Sequence, residues 1–453
     1  MLGGFPSMWR YSLFLGWLSA APFRPPFLKR NKMIRASVWS ILLSVCVLIL
    51  LLWKRHPSIQ HQTSTSDNVR NTNSDVPVLF ESSDTATVNF TQSIPVLVIA
   101  CKRTSVKRTL DALLKYRTNL ISPKSASFPI TVSQGCPHQP TANVLASYGS
   151  KISLIKFEMP PMRPQNITKM KMGYQMIAHH YKKALDYMFL EVNHSVVIVV
   201  EDDLDIAPDF FEYFVATLPL LYSDPSLFCV SAWNDNGRPQ LIDPKRIDLI
   251  YRSDFFSGLG WMLIRKIWLE VRENWPDIFW DDYLRQPEVR KDRACLRPEV
   301  GRTKTFGRFG VSKGQYFAKY LESMHLNQNS FGFTKQDLSY LLEPSYTGSW
   351  LHTVYKEAFE ISPSKLYTKQ FPAENKLKPL RITYESDEEF VGIASRLTLM
   401  TDSRSGVMRN AFRGVVPIYW GDRRIYIAPP TNWKGYDWSQ SWTKRKFNFP
   451  TVN

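Results

Sequence analysis

From about residue 93 the chain alternates short unbroken apolar runs with stripes of helical period. Residues 95–101 (PVLVIAC) read as a buried strand, 109–116 as a helix, and FPITVSQGC as the next strand. Residues 166–192 carry apolar side chains at Met170, Tyr174, Ile177, Tyr181, Ala184, Leu185 and Met188, the spacing of one helix face. Residues 196–200 form an uninterrupted β-branched run, the pattern of a central parallel strand covered on both faces, and 209–218 are amphipathic. This alternation predicts an α/β fold with a doubly wound, Rossmann-like half and a ligand site at the strands' C-terminal edge. No GxGxxG follows any strand, so a nicotinamide cofactor gains little support. A smaller region over residues 337–453 contains one more helix in ESDEEFVGIASRL and two strands in VVPIYWGDRRIYIAPP around Gly421-Asp422. That leaves residues 93–336 as the larger, ligand-binding domain.

Before residue 93 the pattern changes twice. Residues 36–53 contain no charge and, as a helix at ~1.5 Å per residue, would span ~27 Å, which predicts one transmembrane helix. Lys29, Arg30, Lys32 and Arg35 outnumber the basic residues on the far side, so the positive-inside bias leaves 1–35 as a cytosolic tail and the C-terminus lumenal. Met33 is an alternative start that would leave 1–32 untranslated. Residues 54–92, rich in Ser, Thr, Asn, Asp and Gln, read as a disordered stem. Asn89, Asn166 and Asn193 each open a glycosylation triplet, and the first, in the stem, is the clearly exposed one.

The formal charge of +17 suggests nucleic acid, but eight of those charges sit, without an acid, in the first 56 residues. The rest are interspersed with Asp and Glu, which fits a solvated basic surface and no nucleic-acid partner. No cysteine spacing resembles a zinc site; Cys101, Cys136, Cys229 and Cys295 allow two bridges in three connectivities.

The candidate chemistry begins with Glu201, Asp202 and Asp203, which leave the C-terminal end of the strand 196–200. They are hard oxygen ligands suited to Mn²⁺ or Mg²⁺ carrying a phosphorylated substrate; they equally suit an acidic turn that stabilises the next helix. Asp281 and Asp282 follow Trp280 in an aromatic setting, where a fixed carboxylate can serve as a general base or where the pair can simply cap a helix. Residues 307–314, GRFGVSKG, read as a lid or a surface loop.

Taken together, VVEDDLDIAPDFFEYF, CVSAWNDNG, DFFSGLGW, FWDD, RACLRPEVGRT and TFGRFGVSKGQ resemble the N-acetylglucosaminyltransferase I family from about Pro95 to Trp438. The resemblance implies a nucleotide-sugar-binding domain of GT-A type with a smaller C-terminal domain, anchored in the Golgi membrane as a single-pass type II protein. It implies inverting transfer of N-acetylglucosamine from UDP-GlcNAc, in β-1,2 linkage, to the α-1,3-linked mannose of a high-mannose N-glycan. Asp203 would ligate Mn²⁺, Glu201 and Asp202 would contact the sugar nucleotide, and Asp281 would be the base. Leu259 and Trp280 would shape the donor-sugar pocket, Arg103 and His180 would hold the UDP, and Val311 with Ser312 would belong to the closing loop. The family pairing joins Cys101 to Cys136 and Cys229 to Cys295. A related transferase acting on O-linked mannose and a catalytically silent glycan-binding protein are the alternatives.

Such a displacement needs a base for the acceptor hydroxyl and a device that stabilises the leaving diphosphate. A divalent cation is that device, so no protonated acid is required, unlike in an inverting glycosidase. One position departs from the family: Gly135 stands where an Asp would hydrogen-bond the uracil. A lost hydrogen bond costs about 0.5–1.5 kcal/mol, several-fold in donor affinity.

Overall fold

The computed structural model describes residues 93–120, 126–158, 168–369, 371 and 378–437. The chain divides into Met1–Asp84 and Thr85–Asn453. The first unit lies outside the described residues, as do the predicted transmembrane segment 36–53, the stem 54–92, Asn89 and Asn166. Among the described residues no helix is long and apolar enough to cross a membrane.

The second unit is built on an eight-stranded sheet. Its strands are β1 (Val96–Ala100), β2 (Ile130–Gln134), β3 (Ser153–Lys156), β4 (Val196–Glu201), β6 (Leu227–Ser231), β7 (Ile250–Ser253), β8 (Trp261–Ile264) and β9 (Ala294–Pro298), in the order β3-β2-β1-β4-β8-β6-β9-β7. Strand β5 (Leu204–Ile206) instead pairs with β10 (Thr303–Thr305) in a two-stranded ribbon. The half β3-β2-β1-β4 is parallel, with α1 (Val106–Tyr116), α2 (Gln139–Ala146) and α3 (Lys169–Asp186) in the crossovers, as the alternation predicts. Beyond β4 the directions mix: β8 is antiparallel to β4 and β6, β9 is parallel to β6, and β7 is antiparallel to β9.

Every residue from Val196 to Val200 is at most 1% exposed. Helix α4 (Phe210–Ser223) buries Phe210, Phe211, Tyr213 and Phe214 in the same core, and its Pro219 stands inside the helix. Helix α3 starts under Thr168, whose side chain accepts from Lys171 N, and buries Tyr181, Ala184 and Leu185; Met170, placed on its apolar stripe, is 47% exposed. Disulfides join Cys101 to Cys136 and Cys229 to Cys295, the latter between paired strands β6 and β9. Asn193, at a positive-φ turn, is exposed.

The C-terminal region carries a second sheet, β11 (Phe359–Glu360), β12 (Leu380–Thr383), β15 (Val416–Trp420) and β16 (Arg423–Ala428), in the order β11-β12-β16-β15. A short ribbon, β13 (Ser403–Arg404) with β14 (Val407–Met408), precedes it. The hairpin β15–β16 turns through Gly421 and Asp422, both at positive φ, the geometry of a type I′ turn. Ile382, Ile393, Ile418 and Ile425 form this second core with Leu241 and Phe255. Leu338, Leu341, Tyr346, Trp350 and Val354 pack instead in the larger core, so apart from Leu241 and Phe255 the second hydrophobic cluster begins near Ile361.

Candidate active site

The end of β4 delivers the three acids to a cleft edge. Asp202 accepts from Cys101 N (3.0 Å) and from Arg103 Nη1 (2.6 Å); the same nitrogen lies 2.7 Å from Asp203 Oδ2. Asp203 is 6% exposed, and its Oδ1 is buried with no hydrogen-bond partner among the described residues. Burial pushes its carboxyl up to about 6 against the pull of Arg103. Glu201 accepts from Tyr181 Oη at 2.7 Å; burial, then the Asp203 carboxylate, pushes it up to about 8. With Glu201 largely protonated, the carboxylates of Asp202 and Asp203 against one guanidinium leave negative charge, which suits a cation-loaded diphosphate.

Tyr181 links this cluster to Asp281. Its ring stacks on Trp280 at 4.0 Å, and Trp280 lies between Trp275 (5.9 Å) and Trp261 (6.0 Å) in a stacked row. Burial holds the Tyr181 phenol protonated, followed by the nearby carboxylates of Glu201, Asp203 and Asp281. The helix Trp280–Leu284 starts from Phe279, which takes a left-handed conformation (φ 54°) and packs on Tyr174 at 4.8 Å. Asp281 and Asp282 sit in its first turn, and both accept from Arg285 Nη1, at 2.7 and 2.9 Å. Asp282 is buried, whereas the Asp281 side chain is 41% exposed. Burial would raise Asp281, but Arg285 outweighs it and holds the carboxyl below its ordinary value; burial and Asp281 raise Asp282.

The loop after β10 lies down on the acids. Phe306 N donates to Asp203 O (2.9 Å), and Arg103 Nη2 donates to Phe309 O (2.8 Å). Gly307 is required here, since a Cβ would overlap the Asp203 carboxylate. Val311 packs against Gly173 of α3, while Ser312 is exposed. Leu259 lies partly buried beside Trp280's neighbour Gly258, and its carbonyl accepts from Thr303 Oγ1.

His180 is buried, its Nε2 lies 2.7 Å from Ser133 Oγ, and burial lowers its pKa to about 4, so the ring is neutral. The same ring fills the space over Gly135: any Cβ at that position would overlap it. Glycine at 135 and the seat of His180 are therefore one packing arrangement.

Several contributors escape a reading of the sequence. Tyr181 reads as core, and its hydroxyl gives no signal. Arg285 stands three and four residues after the two acids, a helical spacing that could have revealed it. Arg404 reaches Asp282 (3.5 Å) and Tyr316 Oη (3.5 Å) from a ribbon 122 residues away, beyond any local pattern.

Strand-end carboxylates on a Rossmann-like half-sheet, a separate carboxylate held by arginine, and a loop seated on the acids suit a transferase with a phosphorylated donor, and the sequence matches place the chain among glycosyltransferases. The profile described as GNT-I family matches residues 47–440, and the chain belongs to that family. It is 38% identical over 341 residues to alpha-1,3-mannosyl-glycoprotein 2-beta-N-acetylglucosaminyltransferase of Arabidopsis thaliana, covering 74% of this chain and 73% of that one. Among solved structures it overlaps mannosyltransferase PcManGT from Pyrobaculum calidifontis in complex with GDP-Man and Mn²⁺ at 14% identity and TM-score 0.30, covering 46% of this chain and 57% of that chain. S. aureus TarS 1-349 in complex with UDP-GlcNAc overlaps at 13% identity and TM-score 0.30, covering 46% and 56%. The family assignment rests on the sequence matches alone.

Proposed function

We propose that this protein transfers N-acetylglucosamine from UDP-GlcNAc to the α-1,3-linked mannose of a high-mannose N-glycan, in a Mn²⁺-dependent reaction with inversion. The observation that supports it is the pairing, across Tyr181 and Trp280, of a buried acid cluster with a partly exposed carboxylate. Asp203 fits a divalent cation: its buried Oδ1 lacks a partner, and its donors are hard oxygens. Among the described residues no group of three or more His, Cys, Asp or Glu could hold a metal, so most ligands would come from the diphosphate and water. Bound there, the cation would neutralise charge developing on the leaving UDP.

The chain's own residues supply the rest. Arg103 orients Asp202 and Asp203 and would meet the diphosphate beside them; neutral His180 would pack against the nucleoside. Trp280 and Leu259 would bound the donor sugar, and Glu201 with Asp202 would contact it. Asp281, ionised and fixed by Arg285, would take the acceptor hydroxyl's proton. The loop carrying Val311 and Ser312 would exclude water once the donor is seated. Residues 36–53 would anchor the protein in the Golgi membrane as type II, testable by alkaline extraction of membranes and protease protection.

The test is full chain with UDP-GlcNAc and a five-mannose N-glycan, with Mn²⁺ present or chelated. Metal-dependent addition of one GlcNAc, abolished by Asp203→Ala, is expected. Folded protein that transfers equally well under chelation would overturn the cation's role; folded protein without transfer would overturn the activity.

A further inference from the structure

A cavity of about 700 Å³ opens far from the acids, between edge strand β7, the helix Ser345–His352 and the hairpin β15–β16. Strands β8, β6 and β9 separate β7 from β4, four spacings of ~4.8 Å or about 19 Å. Its size falls within the roughly 300–1,000 Å³ of small-ligand sites.

The lining has a consistent chemistry. Six rings face it: Tyr251, Tyr340, Tyr346, Trp350, Tyr419 and Tyr426. Trp350 is 7% exposed, and its indole Nε1 is a buried donor with no acceptor among the described residues. Tyr251 is flanked by two guanidinium groups, Arg297 at 4.7 Å and Arg424 at 5.7 Å, and Arg424 also covers Tyr419 at 5.6 Å. Two arginines of the lining pair with carboxylates, Arg424 with Glu299 (2.8 Å) and Arg246 with Asp248 (2.9 Å), and Arg423 donates to the neutral carbonyl of Lys378. Lys378 is balanced in sign by Asp422 on the same wall. The cavity therefore offers ring faces and N–H donors, with two of its four lining cations neutralised by carboxylates.

The aromatic lining fits hydroxylated rings, whose C–H faces pack on aromatic side chains while their oxygens accept from arginine and lysine N–H groups. The geometry points to a second glycan-binding site here, one that takes a neutral oligosaccharide of hexopyranose units and is separate from the transfer cleft. Such a site would hold a further arm or neighbouring glycan of a glycoprotein. It stands on this cavity's own chemistry and does not depend on the transferase reading.

The experiment is hydrogen–deuterium exchange of the full chain with a five-mannose N-glycan and no donor nucleotide, followed by titration calorimetry of Tyr419→Ala and Tyr340→Ala. Protection is expected in peptides covering residues 345–352 and 416–428, with affinity lowered at least tenfold in each variant while transfer to a mannose disaccharide is unchanged. Protection confined to peptides covering 201–206 and 279–285, or protection of the cavity peptides by UDP in place of the glycan, overturns the proposal. The exchange measurement on unaltered protein decides even if a variant fails to fold. Loss of transfer with cavity protection intact would count against the transferase reading alone.

Discussion

At the scale of single residues the site separates two kinds of carboxylate. Asp281 is half open and held by Arg285 below its ordinary pKa, so it remains ionised through the neutral range and its proton affinity is low for a base. Asp281→Asn keeps the volume and removes the proton acceptor; a general base contributes about 10²–10⁴-fold, and the transfer rate should fall by that factor with KM for UDP-GlcNAc little changed. Steady-state kinetics at saturating donor will check it, and an undiminished rate removes Asp281 from the base role. Glu201 behaves oppositely. Its folded pKa of about 8 lies above the unfolded value, so the proton-bound form favours folding below the unfolded pKa, and that contribution is lost as pH rises through 8. Glu201→Gln, which still accepts from Tyr181 Oη, should therefore raise Tm of the donor-free protein at pH 9 by a few degrees and leave it unchanged near pH 4. A pH series of thermal melts, with equal differences at both ends, would remove burial of this charge as the cause.

At the scale of elements, the spacing between β2 and α3 decides what position 135 can be. Because the His180 ring already occupies the space of a side chain there, Gly135→Asp should worsen UDP binding, at least tenfold by calorimetry, through displacement of the ring from Ser133. Gly135→Asp combined with His180→Ala should recover part of that loss, whereas improved binding by the single variant would show that only a hydrogen bond is missing. How far the elements could be read beforehand follows from the same physics. The β-branched run of β4 announced a strand covered on both faces, and the apolar stripe of α3 announced its buried face. Coverage, however, says nothing about the direction of the next strand, so the antiparallel neighbour β8 had no signature. The acids at the strand end and the WDD turn were visible because both sit beside strong patterns. Tyr181 and Arg404 were not: one is an ordinary core residue by periodicity, and the other comes from a two-residue strand, too short to carry a pattern.

At the scale of the whole described unit, charge connects the second core to the transfer cleft. Arg409 bonds Asp402 at 2.8 and 2.9 Å and Asp235 at 2.7 Å; Arg404 bonds Asp402 and Asp282; and Arg285 completes the path to Asp281. Asp235 belongs to the loop after β6 and also accepts from Ser257 Oγ, so the path crosses from the large sheet to the ribbon β13–β14 and back. Removing one partner from such a buried network strands the other charges, a loss of about 3–5 kcal/mol. Arg409→Met should lower Tm by about 4–7 °C on that basis, with a further fall in transfer rate because Asp282 and Arg285 lose their outer support. Replacing Asp235, Asp402 and Arg409 together by Asn, Asn and Met should cost less than the single change, since no unpaired charge remains. The pH dependence gives the sharper reading. Burial alone would raise Asp402, but Arg409 outweighs it and pulls the carboxyl down to about 2, below its unfolded value near 3.8. Stability from that pair is thus present above the unfolded pKa and is lost as pH falls from about 4 through 2. Melts recorded from pH 7 to 2 should show the Arg409→Met protein converging on the unaltered protein at the acid end. A gap that stays constant to pH 2 would assign the loss to packing against Phe255, on which the guanidinium also rests at 4.9 Å, and not to the ion pairs.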